Sequence, residues 1–223
     1  MKFFYLVLYF CIFNFSVFSG ELAQGLKKVD DYKIIGPKNF LEDFKTFQKK
    51  NIANIVIEIP KGTNEKWEVS KFDGSLEHNF FQGKPRINKN TFYLVNYGMI
   101  PRTVLPLKFG GDGDPLDAIL LGETLPRGTV AQGKIIGVMR MKDMGQNDDK
   151  IILTHKDSKF FNYENIDDLQ NEDPEILSNI KRWFTSYKGN NFVEFIRYGS
   201  KKEAYEIIVK ASKDYKKLGL KIK

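Results

Sequence analysis

Apolar and polar positions alternate along the middle of the chain, and a period of two predicts strands rather than helices. NIVIEIP (54–60) is alternating and β-branched, and Pro60 stops it. KWEVSKF (66–72) alternates again. TFYLVNYG (91–98), DAILLG (117–122), GKIIGVMRM (133–141) and KIILTH (150–155) are further strand candidates, divided by Gly, Pro and Asp turns. Short strands at hairpin-like distances point to a barrel or a sandwich.

Three stretches change to a helical period. FLEDFKTFQKK (40–50) spaces Phe40, Leu41, Phe44 and Phe47 as a short amphipathic helix would. DPEILSNIKRWFTSYK (173–188) opens with Asp173 as cap and Pro174 as first helical residue. Its apolar stripe is Ile176, Leu177, Ile180, Trp183, Phe184 and Tyr187. SKKEAYEIIVKASKDYKKLG (200–219) starts with Ser200 and Glu203 at capping-box spacing and closes at Gly219. NFVEFIRY (191–198) reads as a strand between the two. There is no internal repeat and no low-complexity linker. The expected architecture is one α+β domain, a small barrel with two helices packed on it late in the chain.

The apolar fraction of 42% and aromatic fraction of 14% describe a globular chain rather than a disordered one. The formal charge of +7 raises the question of nucleic acid. Most of that excess lies in KASKDYKKLGLKIK (210–223), six lysines against one aspartate, which reads as a solvated helix face. The rest of the chain is close to balance.

The candidate chemistry sits in GGDGDPLDAILL (110–121), where three aspartates stand within six positions at the edge of an apolar run. Carboxylates this close repel one another and resist losing water. An EF-hand loop fails here, because Leu116, Asp117 and Pro115 fall where a calcium loop needs a ligand, a glycine and a flexible backbone. A plain acidic turn is the ordinary alternative. It is less comfortable for Asp117, which opens a strand beside two other anions. A hard cation among the three relieves that repulsion, and ligation by carboxylate alone favours magnesium or manganese over zinc. A second acidic group, Asp143, Asp148 and Asp149 before Lys150, follows in RMKDMGQNDDK (140–150); alone it reads as a surface turn. Glu58 in VIEIP reads alone as the solvent side of its strand, with Lys66 and Glu68 next along the chain.

Taken together these positions resemble the soluble family I inorganic pyrophosphatases, whose signature is D-(small)-D-P-(apolar)-D. DGDPLD matches it, and the other stations follow in order. EIP is followed at eight residues by Lys66 and at ten by Glu68. Arg86 precedes NYG, Asp143, Asp148 and Lys150 keep offsets of five and seven, and Tyr187-Lys188 ends the long helix. The likeness covers about residues 35–215. The spacing from Glu58 to Lys66 resembles the eukaryotic type.

The resemblance implies a five-stranded, OB-like barrel with flanking helices, hydrolysing pyrophosphate with Mg²⁺ or, as an alternative, Mn²⁺. It implies that Asp112, Asp117, Asp143 and Asp148 bind metal, that Glu58 helps, and that Asp114 accepts the proton of the attacking water. Lys66, Arg86, Tyr97, Lys150, Tyr187 and Lys188 would hold phosphoryl oxygens, with Glu68 and Tyr93 in supporting positions. A homo-oligomer is expected. A nucleic-acid-binding barrel is the competing reading, but an acidic barrel mouth repels phosphate unless metal is bound. A non-catalytic phosphate sensor is the other, and it fits poorly with a full set of reactive side chains.

MKFFYLVLYFCIFNFSVFSG (1–20) stands apart, with one lysine, an apolar run from Phe3 to Phe18 and the small pair Ser19-Gly20. That is the layout of a secretory signal, and sixteen residues fall short of the ~20 that span a bilayer. The expected organisation is a signal over 1–20 and the enzyme domain over 21–223, exported without stable membrane association. An uncleaved anchor and a cytoplasmic chain, as in most relatives, are the alternatives. The sole cysteine, Cys11, lies in this leader, so the mature chain would hold no disulfide. Mass spectrometry of the protein from its native host is expected to find the mature terminus near Gly20 or Glu21. An intact Met1 would contradict cleavage.

Overall fold

The computed structural model describes residues 21–89, 91–189 and 192–219. The signal expected over 1–20 and the last lysines of the tail lie outside the described residues. Among the described residues no helix is long and apolar enough to cross a membrane.

Five strands close into a ring: β1 (Ile52–Ile59), β2 (Asn96–Met99), β3 (Asp117–Leu121), β4 (Val130–Asp143) and β5 (Lys150–His155). β1 pairs with β2, β2 with β3, and β3 runs parallel to β5. β5 pairs with β4, and the first residues of β4 return to β1 to complete the circle. The fold is thus the small, five-stranded OB-like barrel with flanking helices. β4 is long enough to serve two partners. Its end pairs with β6 (Val193–Ser200), which lies outside the ring.

Close strand contact needs small residues in the ring. A Cβ on Gly98 would stand 1.8 Å from the Val56 carbonyl oxygen, so only glycine lets β2 lie against β1 between Tyr97 and Met99.

The strands bury both faces. Ile57, Ala118, Leu120, Ile151 and Leu153 pack with Ala204 and Ile208 of α3 (Lys201–Leu218). The opposite faces, Ile119, Leu121, Met139 and Ile152, pack under α1 (Ile166–Glu172) and α2 (Pro174–Ser186), through Leu169, Leu177, Ile180 and Phe184. Each such fully buried aliphatic contributes roughly 1.5–3 kcal/mol. A four-stranded antiparallel sheet, in the order Lys27–Asp30, Lys33–Ile35, Leu76–His78, Trp67–Val69, lies against a third cluster around Trp67, Leu76 and Met99.

The helix expected over 40–50 is absent; the chain turns there and enters a short strand, Phe47–Lys49. The Asn39 amide oxygen accepts from the Leu41 and Glu42 backbone N–H groups, and the Asp43 carboxylate accepts from Asn39 N–H. These local bonds hold a turn in place of a helix. The four apolar side chains also serve two cores: Phe40, Leu41 and Phe44 join the third cluster, while Phe47 joins the one with α3. The strand expected from residue 91 begins only at Asn96, since Tyr93 N–H bonds the Thr63 carbonyl instead of a ladder partner.

Helices α2 and α3 stand where their periodicity places them, with different caps. The Asp173 carboxylate makes no cap bond to α2 and accepts from Tyr163 Oη at 2.8 Å. Ser200 Oγ accepts from Glu203 N–H at 3.2 Å, but the Glu203 carboxylate turns to Arg197 and Arg140 rather than closing the box. Helix α1 has no counterpart among the sequence expectations. It is seven residues long, and Asn165 and Asp168 close a full capping box at its start.

Candidate active site

Thirteen of the fourteen residues singled out from the sequence line one cavity of about 500 Å³ at the barrel rim. The fourteenth, Tyr93, is buried behind the wall, its ring 4.4 Å from Trp183 and 5.5 Å from Tyr97 between centroids.

The glycine-rich loop forms the acidic side. Gly110 and Gly113 take left-handed conformations (φ +80 and +84), which strain any other residue. Gly113 N–H bonds the Leu105 carbonyl and Leu105 N–H bonds the Asp114 carbonyl. Asp112 Oδ1 accepts the Asp114 N–H at 2.9 Å. The loop then delivers Asp117 as the first residue of β3.

Register supplies Asp117's partner. Ala118 lies beside Ile151 in the parallel β3–β5 pair, so Asp117 and Lys150 stand at adjacent strand starts. Lys150 Nζ donates to Asp117 Oδ2 and to Asp148 Oδ1, both at 2.5 Å. Lys188 pairs with Asp143 across the cavity, and Lys71 Nζ donates to Asp114 Oδ1 at 2.7 Å. Lys66 Nζ lies 5.0 Å from the Tyr97 ring centre and 3.9 Å from Glu68.

Glu58 departs from its sequence reading. It is 3% exposed rather than solvent-facing, because β1 is covered on both faces. Its Oε1 accepts the Val69 N–H at 2.6 Å, which ties the barrel to the strand carrying Lys66 and Glu68.

Burial and charge together set the protonation states. Burial pushes the Glu58 carboxyl up to about 8, with Lys66 opposing and Asp117 adding to the rise. Burial also raises Asp112. Asp117 feels the same desolvation, but Lys150 and Lys66 outweigh it and hold the group below the ordinary carboxylate range. Asp148 ends above its ordinary value through burial and its anionic neighbours, despite Lys150. For Lys150 burial works against the charge, and Asp117 and Asp148 more than restore it. Tyr97 is raised well above its ordinary value, chiefly by burial, and so remains a neutral donor.

The donor set fits a hard divalent cation. Asp112, Asp117, Asp143, Asp148 and Glu58 offer oxygen alone, the preference of magnesium-class ions. Asp143 Oδ1 is buried and has no hydrogen-bond partner. Such an atom is expensive to leave unpaired, and a cation satisfies it. Among the described residues no three His, Cys, Asp or Glu side chains are drawn together as a ready cage; lysines hold the carboxylates in the geometry seen.

The cavity contains residues that the sequence reading missed, among them Lys71, Phe72, Asn79 and Phe80. Asn79 Nδ2 donates to Glu68 Oε1 at 2.6 Å and so orients it. Lys71 and Phe72 lie on a turn of the small sheet, and Asn79 leads from it to Phe80, which pairs with Pro85 in a separate two-stranded hairpin. The available signal was the position of Lys71, three residues after Glu68 and so inside the same hairpin.

Carboxylates and fixed cations interleaved at the mouth of a small barrel suit a polyanion bound through divalent cations. The family model described as inorganic pyrophosphatase matches residues 55–216. An inorganic pyrophosphatase of Debaryomyces hansenii is 34% identical over 192 residues, covering 77% of this chain and 67% of that protein. One from Campylobacter jejuni is 33% identical, covering 74% of this chain and 93% of that protein. The solved inorganic pyrophosphatase of Schistosoma japonicum superposes with a TM-score of 0.78 at 25% identity, over 90% of this chain and 78% of that one. This chain belongs to the inorganic pyrophosphatase family.

Lys150 is the charge that keeps Asp117 and Asp148 compatible with burial. Lys150→Met is expected to cost about 3 kcal/mol in the absence of divalent cations, since it leaves two carboxylates unpaired. Urea unfolding measures this, and Asp117→Asn in the same chain should recover part of the loss. Unchanged stability of Lys150→Met would show the pair to be solvated.

Proposed function

We propose that the chain hydrolyses inorganic pyrophosphate to two phosphates with Mg²⁺ as its cofactor and Mn²⁺ as a substitute, and that Asp114 is the general base. Family membership supports the reaction. The observation that carries the assignment of residues is the single cavity in which oxygen-only ligands and cations alternate.

Asp112, Asp117, Asp143, Asp148 and Glu58 are the residues that would hold metal. Bound Mg²⁺ supplies Lewis acidity, acidifying water and offsetting substrate charge. The side chains do the remainder. Lys66, Arg86, Lys150 and Lys188 attract the phosphoryl oxygens and spread the charge that builds on the leaving phosphate. Tyr97 and Tyr187 offer O–H donors from the cavity wall. Asp114 takes the water proton at its carboxylate, which projects from a backbone fixed on both sides by hydrogen bonds. Glu68 flanks Lys66 and is steadied by Asn79, while Tyr93 backs the Tyr97 ring.

The three aspartates of the loop should separate by role. Asp112→Asn and Asp117→Asn remove charge that offsets Mg²⁺, so their activity should fall and recover in part with excess Mg²⁺. Asp114→Asn should lose roughly 10²–10⁴-fold, the value of a positioned base, with no recovery. A Mg²⁺ titration of hydrolysis rate for each variant decides. Full rescue of Asp114→Asn would overturn its role as base, and near-normal rates in all three would overturn the reading.

A further inference from the structure

The described cavity holds one cation outside the set so far assigned to ligands and substrate. Lys71 lies on the turn after Trp67–Val69, lines the cavity and donates to Asp114. The pair is awkward for the reaction proposed above. The ammonium group occupies the very carboxylate oxygen side that a water would have to approach, so the base is covered while Lys71 stays on it.

The geometry shows what can move. The turn backbone is fixed: Ser70 N–H bonds the Ser75 carbonyl, and Gly74 N–H bonds Ser70. Asp73 accepts from Ser75 N–H, from Ser75 Oγ and from Lys33 Nζ, and Asn39 Nδ2 donates to the Asp73 carbonyl. The Asp114 backbone is held as firmly. The side chains are not enclosed, at 48% exposed for Lys71 and 55% for Asp114. An exposed pair of this kind contributes little and separates easily. Asp112 and Glu68 add to the negative charge that Lys71 feels at the cavity rim. Lys150 and Lys188, in contrast, pair with less exposed carboxylates, those of Asp117, Asp148 and Asp143.

We propose that Lys71 is a further substrate-binding residue that sits on Asp114 in the free protein and transfers to a phosphoryl oxygen as pyrophosphate enters, releasing the base. This rests on the assignment of Asp114 made above. A dianionic or more highly charged phosphoryl ligand outcompetes a single exposed carboxylate for the same ammonium group. Arrival of substrate and exposure of the base then become one event.

The test is a thermodynamic cycle on binding of imidodiphosphate, a non-hydrolysable analogue, by calorimetry at saturating Mg²⁺. Lys71→Met is expected to raise Kd about 10-fold, the loss of one charge-assisted contact, and Lys71→Arg to restore most of it. The decisive comparison repeats Lys71→Met in an Asp114→Asn chain. With no carboxylate to leave, Lys71 gives its full contact, so the loss should be about 3-fold larger there than in the wild type. Equal losses in the two backgrounds would mean that Lys71 keeps the same partner on binding, and an unchanged Kd in Lys71→Met would mean it does not touch the ligand. Either result overturns the proposal. Hydrolysis by the wild-type chain, measured alongside, separates this failure from failure of the pyrophosphatase reading, because analogue binding does not depend on turnover.

Discussion

One ammonium group between two carboxylates organises the rim of this barrel. Lys150 is 3% exposed by side chain and donates at 2.5 Å to both Asp117 and Asp148. Removing its charge would leave two half-buried anions facing each other, at a cost that a domain of ordinary stability feels. The contact follows from register. β3 and β5 run parallel, and the positions at which each strand begins fall side by side. The same pairing presents the acidic loop to the cations opposite, so the topology of the barrel and the charge order of the cavity are one fact.

The remainder of the site depends on that rim being rigid. Gly98 lets β2 approach β1 at a distance no side chain permits, and this sets the spacing between Tyr97 and Glu58 on neighbouring strands. The Glu58 carboxylate accepts from Val69 N–H, so the small N-terminal sheet is docked on the barrel through a residue of the cavity itself. Arg127 supports this joint from behind: its Nε donates to the Glu58 carbonyl at 3.0 Å and its guanidinium stacks 4.7 Å from Trp67. Its own backbone is tied to Glu21 and Ala23, which puts the first described residues in contact with the same wall. Lys71 reaches this rim on a long, half-exposed side chain from a turn whose backbone is hydrogen-bonded.

The sequence revealed the elements whose pattern is local. α2 and α3 follow from apolar stripes and breakers, and most barrel strands follow from β-branched runs between Gly, Pro and Asp. It also revealed the charged acidic side of the cavity and most of the cations facing it, through the resemblance carried by the aspartate spacing and the offsets around Lys150. It misled where tertiary structure overrides period. Phe40, Leu41, Phe44 and Phe47 have helical spacing but serve two cores, and Asn39 and Asp43 spend their side chains on a turn. Glu58 looked solvent-facing because alternation assumes one wet face, while a closed barrel wrapped by helices and a second sheet has none. Lys71 and Asn79 escaped notice because only folding of the hairpin brings Lys71 to the acidic loop and Asn79 to Glu68.

The reaction proposed for this interleaved cavity is hydrolysis of pyrophosphate through divalent metal. The most direct measurement is phosphate release from pyrophosphate by the purified chain, with Mg²⁺ and after its removal by a chelator. Two phosphates should be released per pyrophosphate consumed, turnover should stop on chelation, and it should recover when Mg²⁺ is returned. A folded chain that releases no phosphate at saturating Mg²⁺, or one that turns over equally well under chelation, would contradict the proposal.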